Sequence, residues 1–306
     1  MTSPKRYVLA AILAMVAAVA ATGCGTESDE RPQVVATTNI LGDVVNELVG
    51  DQADVTTLMK PNADPHSFGI SASEANTMRT SGLIVYNGLG LEEGIQQHVD
   101  AAEADGVPTL EVAAQARPLP YATGDAEGSM DPHFWTDPTR MTDATQAISQ
   151  ALSEVEGIDQ QQLQASTDAY LAELDELDQS MESQFAAIPP DKRKLVTNHH
   201  VFGYLADRYD FEVIGAIIPS GTTLASPSSS DLASLATAIR ESNVPAVFVD
   251  TSRPDRLAQA LANETGAQIE IVPLYSESLD QPGTEADTYV KMMQTNASRI
   301  SSALTP

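Results

Sequence analysis

Val34-Val35-Ala36-Thr37, followed by Ile40-Leu41-Gly42-Asp43-Val44-Val45-Asn46-Glu47-Leu48-Val49-Gly50, sets the architecture. The first run is short, apolar and β-branched, as a strand covered on both faces requires. In the second, Ile40, Val44, Val45 and Leu48 recur at helical spacing and Gly50 closes the helix. Together they make one βα unit, and the chain repeats it. Strands are expected at 54–59, 83–86 and 109–112, with helices at 72–81 and 91–104 between them. Alternation of this kind predicts a parallel sheet. A turn-rich loop, 113–130, follows. From Pro138 to about Ala187 the residues are helix formers with one break near Gly157, and Leu163, Tyr170, Leu174, Leu177, Met181 and Phe185 form an apolar stripe. Such a helix is long enough to link two lobes. Pro189-Pro190 ends it, and βα units resume: strands at 195–197, 211–218, 246–249 and 268–272, helices at 201–209, 229–241 and 284–304. A further helix is expected after 246–249, capped by Thr251 or Ser252 with Pro254 near its first position. The fold class is therefore α/β: a lobe over 33–137, a helical region over 138–190 and a second lobe over 191–306.

The chain has 306 residues, enough for a large core, and a net charge of −27 from 43 acidic and 16 basic side chains. That balance argues against a nucleic-acid partner, whose phosphates call for a basic surface, and suits an acidic surface that attracts cations. Cys24 is the single cysteine, so no internal disulfide forms. Before it, Lys5 and Arg6 precede an apolar run, Tyr7 to Ala21, too short for a comfortable membrane span, as in a secretory leader. Residues 1–23 are read as a signal peptide and 24–32 as a polar tether, with Ala21-Thr22-Gly23-Cys24 resembling a bacterial lipobox. Cys24 is then the lipidation site, and the protein is exported and held on the outer face of the cell membrane.

Asp64-Pro65-His66 and Asp131-Pro132-His133 are two copies of one local design. Proline fixes its own φ and keeps the preceding aspartate out of the α region, so each imidazole hangs from a constrained backbone. Asp137-Pro138 then looks like a helix start, with Asp137 as N-cap. His199 and His200 follow the 195–197 strand. His66, His133 and His199 thus all stand at strand-to-helix junctions, where open α/β sheets bind ligands. Neutral imidazoles bind borderline transition metals, and a carboxylate from the turn Tyr275-Ser276-Glu277-Ser278-Leu279-Asp280 completes a tetrahedral set. Glu92 and Glu93, beside His98, read as a solvated helix face. A hydrolase using a three-histidine site is the rival class, but there is no His-Glu-x-x-His, Gly-x-Ser-x-Gly or phosphate-binding glycine loop. A surface adhesin is a third.

Four ordered segments resemble the zinc- and manganese-binding lipoproteins that feed ABC importers, the ZnuA-like cluster A-I family. They are Asn62 to Phe68, Asp131 to Trp135, His199 to Tyr204, and the Glu277 turn running on to Tyr289. The resemblance implies two lobes around a rigid linking helix, one divalent metal in the cleft, a monomeric chain, and the permease and ATPase subunits of an importer as partners. It implies His66, His133, His199 and Glu277 as metal ligands, with Asp64, Asp131, His200 and Asp280 as supporting or alternative groups. Two departures stand out. The loop 113–130 lacks the histidines that many zinc importers carry there, and Glu277 and Asp280 take the places of Asp and Gly in an Asp-Ser-Leu-Gly-like turn. The donor set favours Zn2+ and also admits Mn2+.

Overall fold

A computed structural model describes residues 31–266 and 269–305; the leader, Cys24 and most of the tether lie outside them. Four strands, β1 (Gln33–Ala36), β2 (Asp54–Thr57), β3 (Leu83–Tyr86) and β4 (Thr109–Glu111), form a parallel sheet in the order β2-β1-β3-β4. A second parallel sheet repeats that order as β6-β5-β7-β8, from β5 (Lys194–Thr197), β6 (Glu212–Ala216), β7 (Ala246–Asp250) and β8 (Glu270–Leu274). Helices α1 (Asn39–Val49), α2 (Ala72–Thr80) and α3 (Gln96–Ala104) belong to the first lobe. Helices α6 (Gly203–Tyr209), α7 (Ser229–Ser242), α8 (Arg256–Thr265) and α9 (Tyr289–Leu304) belong to the second. Between the lobes run α4 (Pro138–Ser153) and the 27-residue α5 (Gln160–Ala186). Among the described residues no helix is long and apolar enough to cross a membrane.

Strand periodicity explains how the lobes join. Val34 and Ala36 of β1, Leu83 and Val85 of β3, Leu195 of β5, and Ala246 and Phe248 of β7 all enter one apolar core with the α5 stripe. Their alternates point the other way: Val35 and Ile84 into a separate cluster of the first lobe, Val196, Val247 and Val249 into one of the second. Each sheet is thus covered on both faces, and successive residues serve different cores because side chains alternate along a strand. Burying the α5 stripe against α1, α4 and α9 fuses the lobes on one side.

Local chemistry sets most boundaries. Asp137 caps α4 by accepting Thr139 N–H, with Pro138 at the first position, and Ser71 and Glu74 form a capping box at the start of α2. Four expectations are corrected. Helix α3 starts at Gln96 rather than Leu91, because Glu92 turns inward. Helix α8 starts at Arg256, with neither Thr251 nor Ser252 as its cap: Thr251 N–H donates to Leu274 O (3.0 Å), and Ser252 binds Asp250. Strand β8 begins at Glu270, Gln268 being outside the described residues. Helix α9 begins only at Tyr289, where Thr288 accepts Lys291 N–H.

Candidate metal centre

His66 lies in the loop between β2 and α2, His133 at the end of the long loop from β4, His199 just beyond β5, and Glu277 just beyond β8. All four stand on the carboxyl-end side of the two sheets, and each is at most 1% exposed. One ligand atom from each falls within 4.8 Å of the other three. His133 Nε2 is 3.3 Å from His66 Nε2 and 3.4 Å from His199 Nε2. Glu277 Oε1 is 3.0 Å from His199 Nε2 and 3.8 Å from His133 Nε2, and Oε2 is 3.8 Å from His66 Nε2. Ligands about 2.0–2.1 Å from a tetrahedral centre stand about 3.3–3.4 Å from one another. The two edges from His133 Nε2 match that spacing, and the Glu277 oxygens stand 3.0–3.8 Å from the three imidazoles.

The surroundings aim these atoms. Asp131 Oδ1 accepts the His133 backbone N–H (2.9 Å) and lies 2.7 Å from ring Nδ1, which fixes the proton on Nδ1 and turns the Nε2 lone pair inward. Asn87 donates to Pro132 O (3.1 Å) and so holds that loop from the end of β3. Asp64 Oδ1 accepts the His66 N–H at 2.9 Å, while Oδ2 accepts Thr223 Oγ1 and Arg253 Nη1 at 2.6 and 2.5 Å. His199 Nδ1 meets Asn198 Nδ2 at 3.1 Å. Asp250, at the end of β7, accepts the N–H groups of Ser276 (3.0 Å) and Glu277 (3.2 Å) and anchors the fourth element.

Both Glu277 carboxyl oxygens are buried without a hydrogen-bond partner. Burial, then the charges of Asp250, Asp64 and Asp131, pushes the Glu277 carboxyl well above the usual carboxylate range. Burial likewise presses the imidazoles down, His66 to about 2 and His199 to about 4, with His133 also well below its ordinary range. Three inward lone pairs and a carboxyl without donors repel one another or stay protonated. A divalent cation satisfies all four at once.

The remaining expected residues fall outside the cluster. Asp280 Oδ1 accepts Asn62 Nδ2 (2.7 Å) at the rim, and His200 stacks edge-on towards Tyr121, ring centroids 6.5 Å apart. Asp64 and Asp131 support the ligand loops as described. Glu92 corrects the solvated-face reading: it is 1% exposed and accepts from Thr37 Oγ1 (2.6 Å), Asn87 N (2.6 Å) and Gly88 N (3.0 Å), tying β1 to β3. Sequence reasoning also missed Tyr121, whose hydroxyl is 3.3 Å from His133 Nδ1, and Asp250. Tyr121 sits in a turn-rich loop that carries no signal; Asp250, the one acid closing the apolar run Ala246–Val249, was readable.

A family model described as zinc-uptake complex component A, periplasmic, matches residues 34–303, and the chain belongs to that family. It is 28% identical over 281 residues to the zinc-binding protein TroA of Treponema pallidum, covering 90% of each chain. Identity is 27% over 296 residues to the manganese-binding lipoprotein MntA of Halalkalibacterium halodurans, covering 95% of this chain and 96% of that one. The solved structure of the periplasmic zinc-binding protein TroA superposes with a TM-score of 0.83 over 90% of this chain and all of the other. That structure shares the two-lobe fold.

Proposed function

We propose that the protein captures one divalent transition metal ion outside the cytoplasm and hands it to the permease and ATPase of an ABC importer, acting as a carrier and not as an enzyme. The ion is cargo, held by His66, His133, His199 and Glu277. The observation that carries this reading is the set of nitrogen–nitrogen and nitrogen–oxygen edges, 3.0–3.8 Å, around atoms otherwise without partners. Three imidazoles and one carboxylate favour Zn2+ over Mn2+. Relatives of both names leave the choice to the donor set. In this reading 1–23 is a leader, Cys24 carries the lipid, 24–32 is the tether, and monomeric lobes over 33–137 and 191–306 flank the helical region 138–190. The hydrolase and adhesin alternatives gain no support from the site or from these relatives.

Elemental analysis of protein purified without added metal, followed by Zn2+/Mn2+ competition, tests the proposal. One ion per chain and a raised melting temperature are expected; a ligand at a thousandfold excess over Kd stabilises by about 4 kcal/mol. A melting temperature unmoved by either metal overturns it.

A further inference from the structure

The two sides of the cleft are joined differently. On one, the turn after β8 bonds to the first lobe through buried groups, Leu279 N–H donating to Asn39 Oδ1 (3.0 Å) and Trp135 Nε1 to Ser276 O (2.9 Å), while the exposed Asn62 adds its N–H to Leu279 O (3.0 Å). On the other, a cavity of about 170 Å3 lined by His66, Tyr121, Met130, Ser220 and Gly221 marks the edge nearest His66. Here the lobes meet mainly through side chains of surface loops. Thr222 Oγ1 donates to Glu93 Oε1 (2.8 Å) and Tyr121 OH to Gly221 O (3.2 Å), with Asp125 N–H reaching Pro219 O at 3.0 Å. The strongest of these links is Asp64, which receives Thr223 at 2.6 Å and Arg253 at 2.5 Å from the opposite lobe.

We infer that Arg253 and Thr223 form a latch across this edge that closes on Asp64 and sets how fast the captured ion leaves. The latch presupposes the metal capture proposed above. Asp64 does two things at once: one oxygen orients the His66 backbone and the other holds the second lobe. Its side chain is 9% exposed and that of Arg253 37%, so the pair is screened less than a surface ion pair while its cationic end remains accessible. Unlatching therefore loosens His66, the candidate ligand on the open edge, before the buried side of the cleft is disturbed. Arg253 and Thr223 touch no ligand atom; they are positioning residues.

The test is stopped-flow release of Zn2+ from the full-length loaded protein into excess chelator. R253Q should release at least about tenfold faster, the scale for truncating one partner of a half-buried charged pair. R253K should fall between R253Q and wild type. T223V, which keeps the side-chain shape, should also accelerate release, and the D64N/R253Q double variant should be no faster than the faster single one. Raising salt from about 0.05 to about 0.5 M should speed wild-type release and leave R253Q unchanged, a dependence that a purely structural role does not produce. Stoichiometric Zn2+ uptake with release and salt dependence unchanged in both R253Q and T223V overturns the latch alone. A wild-type protein that takes up neither Zn2+ nor Mn2+ overturns the capture proposal and the latch with it.

Discussion

Asp64-Pro65-His66 and Asp131-Pro132-His133 begin alike: in each, the aspartate Oδ1 accepts the histidine backbone N–H at 2.9 Å. Beyond that bond they part. Asp131 turns the same oxygen onto the ring of its own histidine, whereas Asp64 spends its second oxygen on Thr223 and Arg253 of the other lobe and leaves His66 Nδ1 buried without a partner. The electrostatics diverge accordingly. Burial, opposed by the His133 backbone, pushes the Asp131 carboxyl up to about 7. Burial also works to raise Asp64, but hydrogen bonds from Thr223, His66 and Arg253 outweigh it and hold Asp64 below the usual range. One tripeptide turns its carboxylate onto its own imidazole, with the second lobe reaching it only at the Asp131 carbonyl through Tyr204 OH (2.6 Å), and the other turns its carboxylate onto the second lobe.

Breaking the two tripeptides at the imidazoles should have the largest effect. His133→Ala is expected to weaken Zn2+ binding at least about a hundredfold, roughly 2.7 kcal/mol, and His66→Ala less, because Asp131 fixes the His133 ring at Nδ1 whereas His66 Nδ1 has no partner. Competition titration against a chromophoric chelator measures this; wild-type affinity in His133→Ala excludes that ring as a ligand.

Next come the carboxylates that face or steer the rings. Glu277→Ala should cost at least about tenfold, 1.4 kcal/mol, and Asp131→Asn about tenfold through loss of the ring's orientation. If isothermal titration finds Asp131→Asn harmless, the Nδ1 contact does not set the ring.

A smaller effect sharpens the contrast through pH, read as melting temperatures of metal-free protein. The folded-state pKa of Asp131, about 7, lies above its unfolded value, so its contribution is complete below about pH 4 and lost as pH rises through 7. Asp131→Asn should therefore gain on wild type between about pH 4 and 7. Asp64 is depressed, so its contribution is present above the unfolded pKa and lost as pH falls through the folded one. Asp64→Asn should lag wild type at pH 7 and recover towards acid. The differences should be on the order of a few °C, with opposite slopes; parallel slopes refute the divergence.

The smallest change is expected at the rim, where Asp280 bonds Asn62 outside the cluster. Asp280→Ala should shift affinity by less than about threefold. A larger loss than in Glu277→Ala transfers the carboxylate role to Asp280.

Much of this was legible because it is local. The alternation of Val34, Val35 and Ala36, the stripe from Leu163 to Phe185, the Asp137-Pro138 helix start and the two Asp-Pro-His loops each follow from neighbours within a few residues. The grouping of the three histidines with Glu277 was reachable because every one of them follows a strand, and parallel strands deliver their carboxyl ends to one edge. Glu92 was misread: Glu92 and Glu93 look equally solvated in sequence, and only the donors at Thr37, Asn87 and Gly88 turn one of them inward.

The sequence by itself determined the α/β alternation, the Asp137-Pro138 helix start and the strand-to-helix positions of the three histidines, since propensity, capping and period are properties of adjacent residues; the starts of α3, α8 and α9 were not among them. Only the tertiary structure decided that the lobes share one core, that Tyr121 reaches His133, and that Asp64 reaches Arg253, 189 positions away. Those contacts join residues far apart in the chain, so no local pattern encodes them, and the energetic role of identical tripeptides is set by which distant donors folding brings to each.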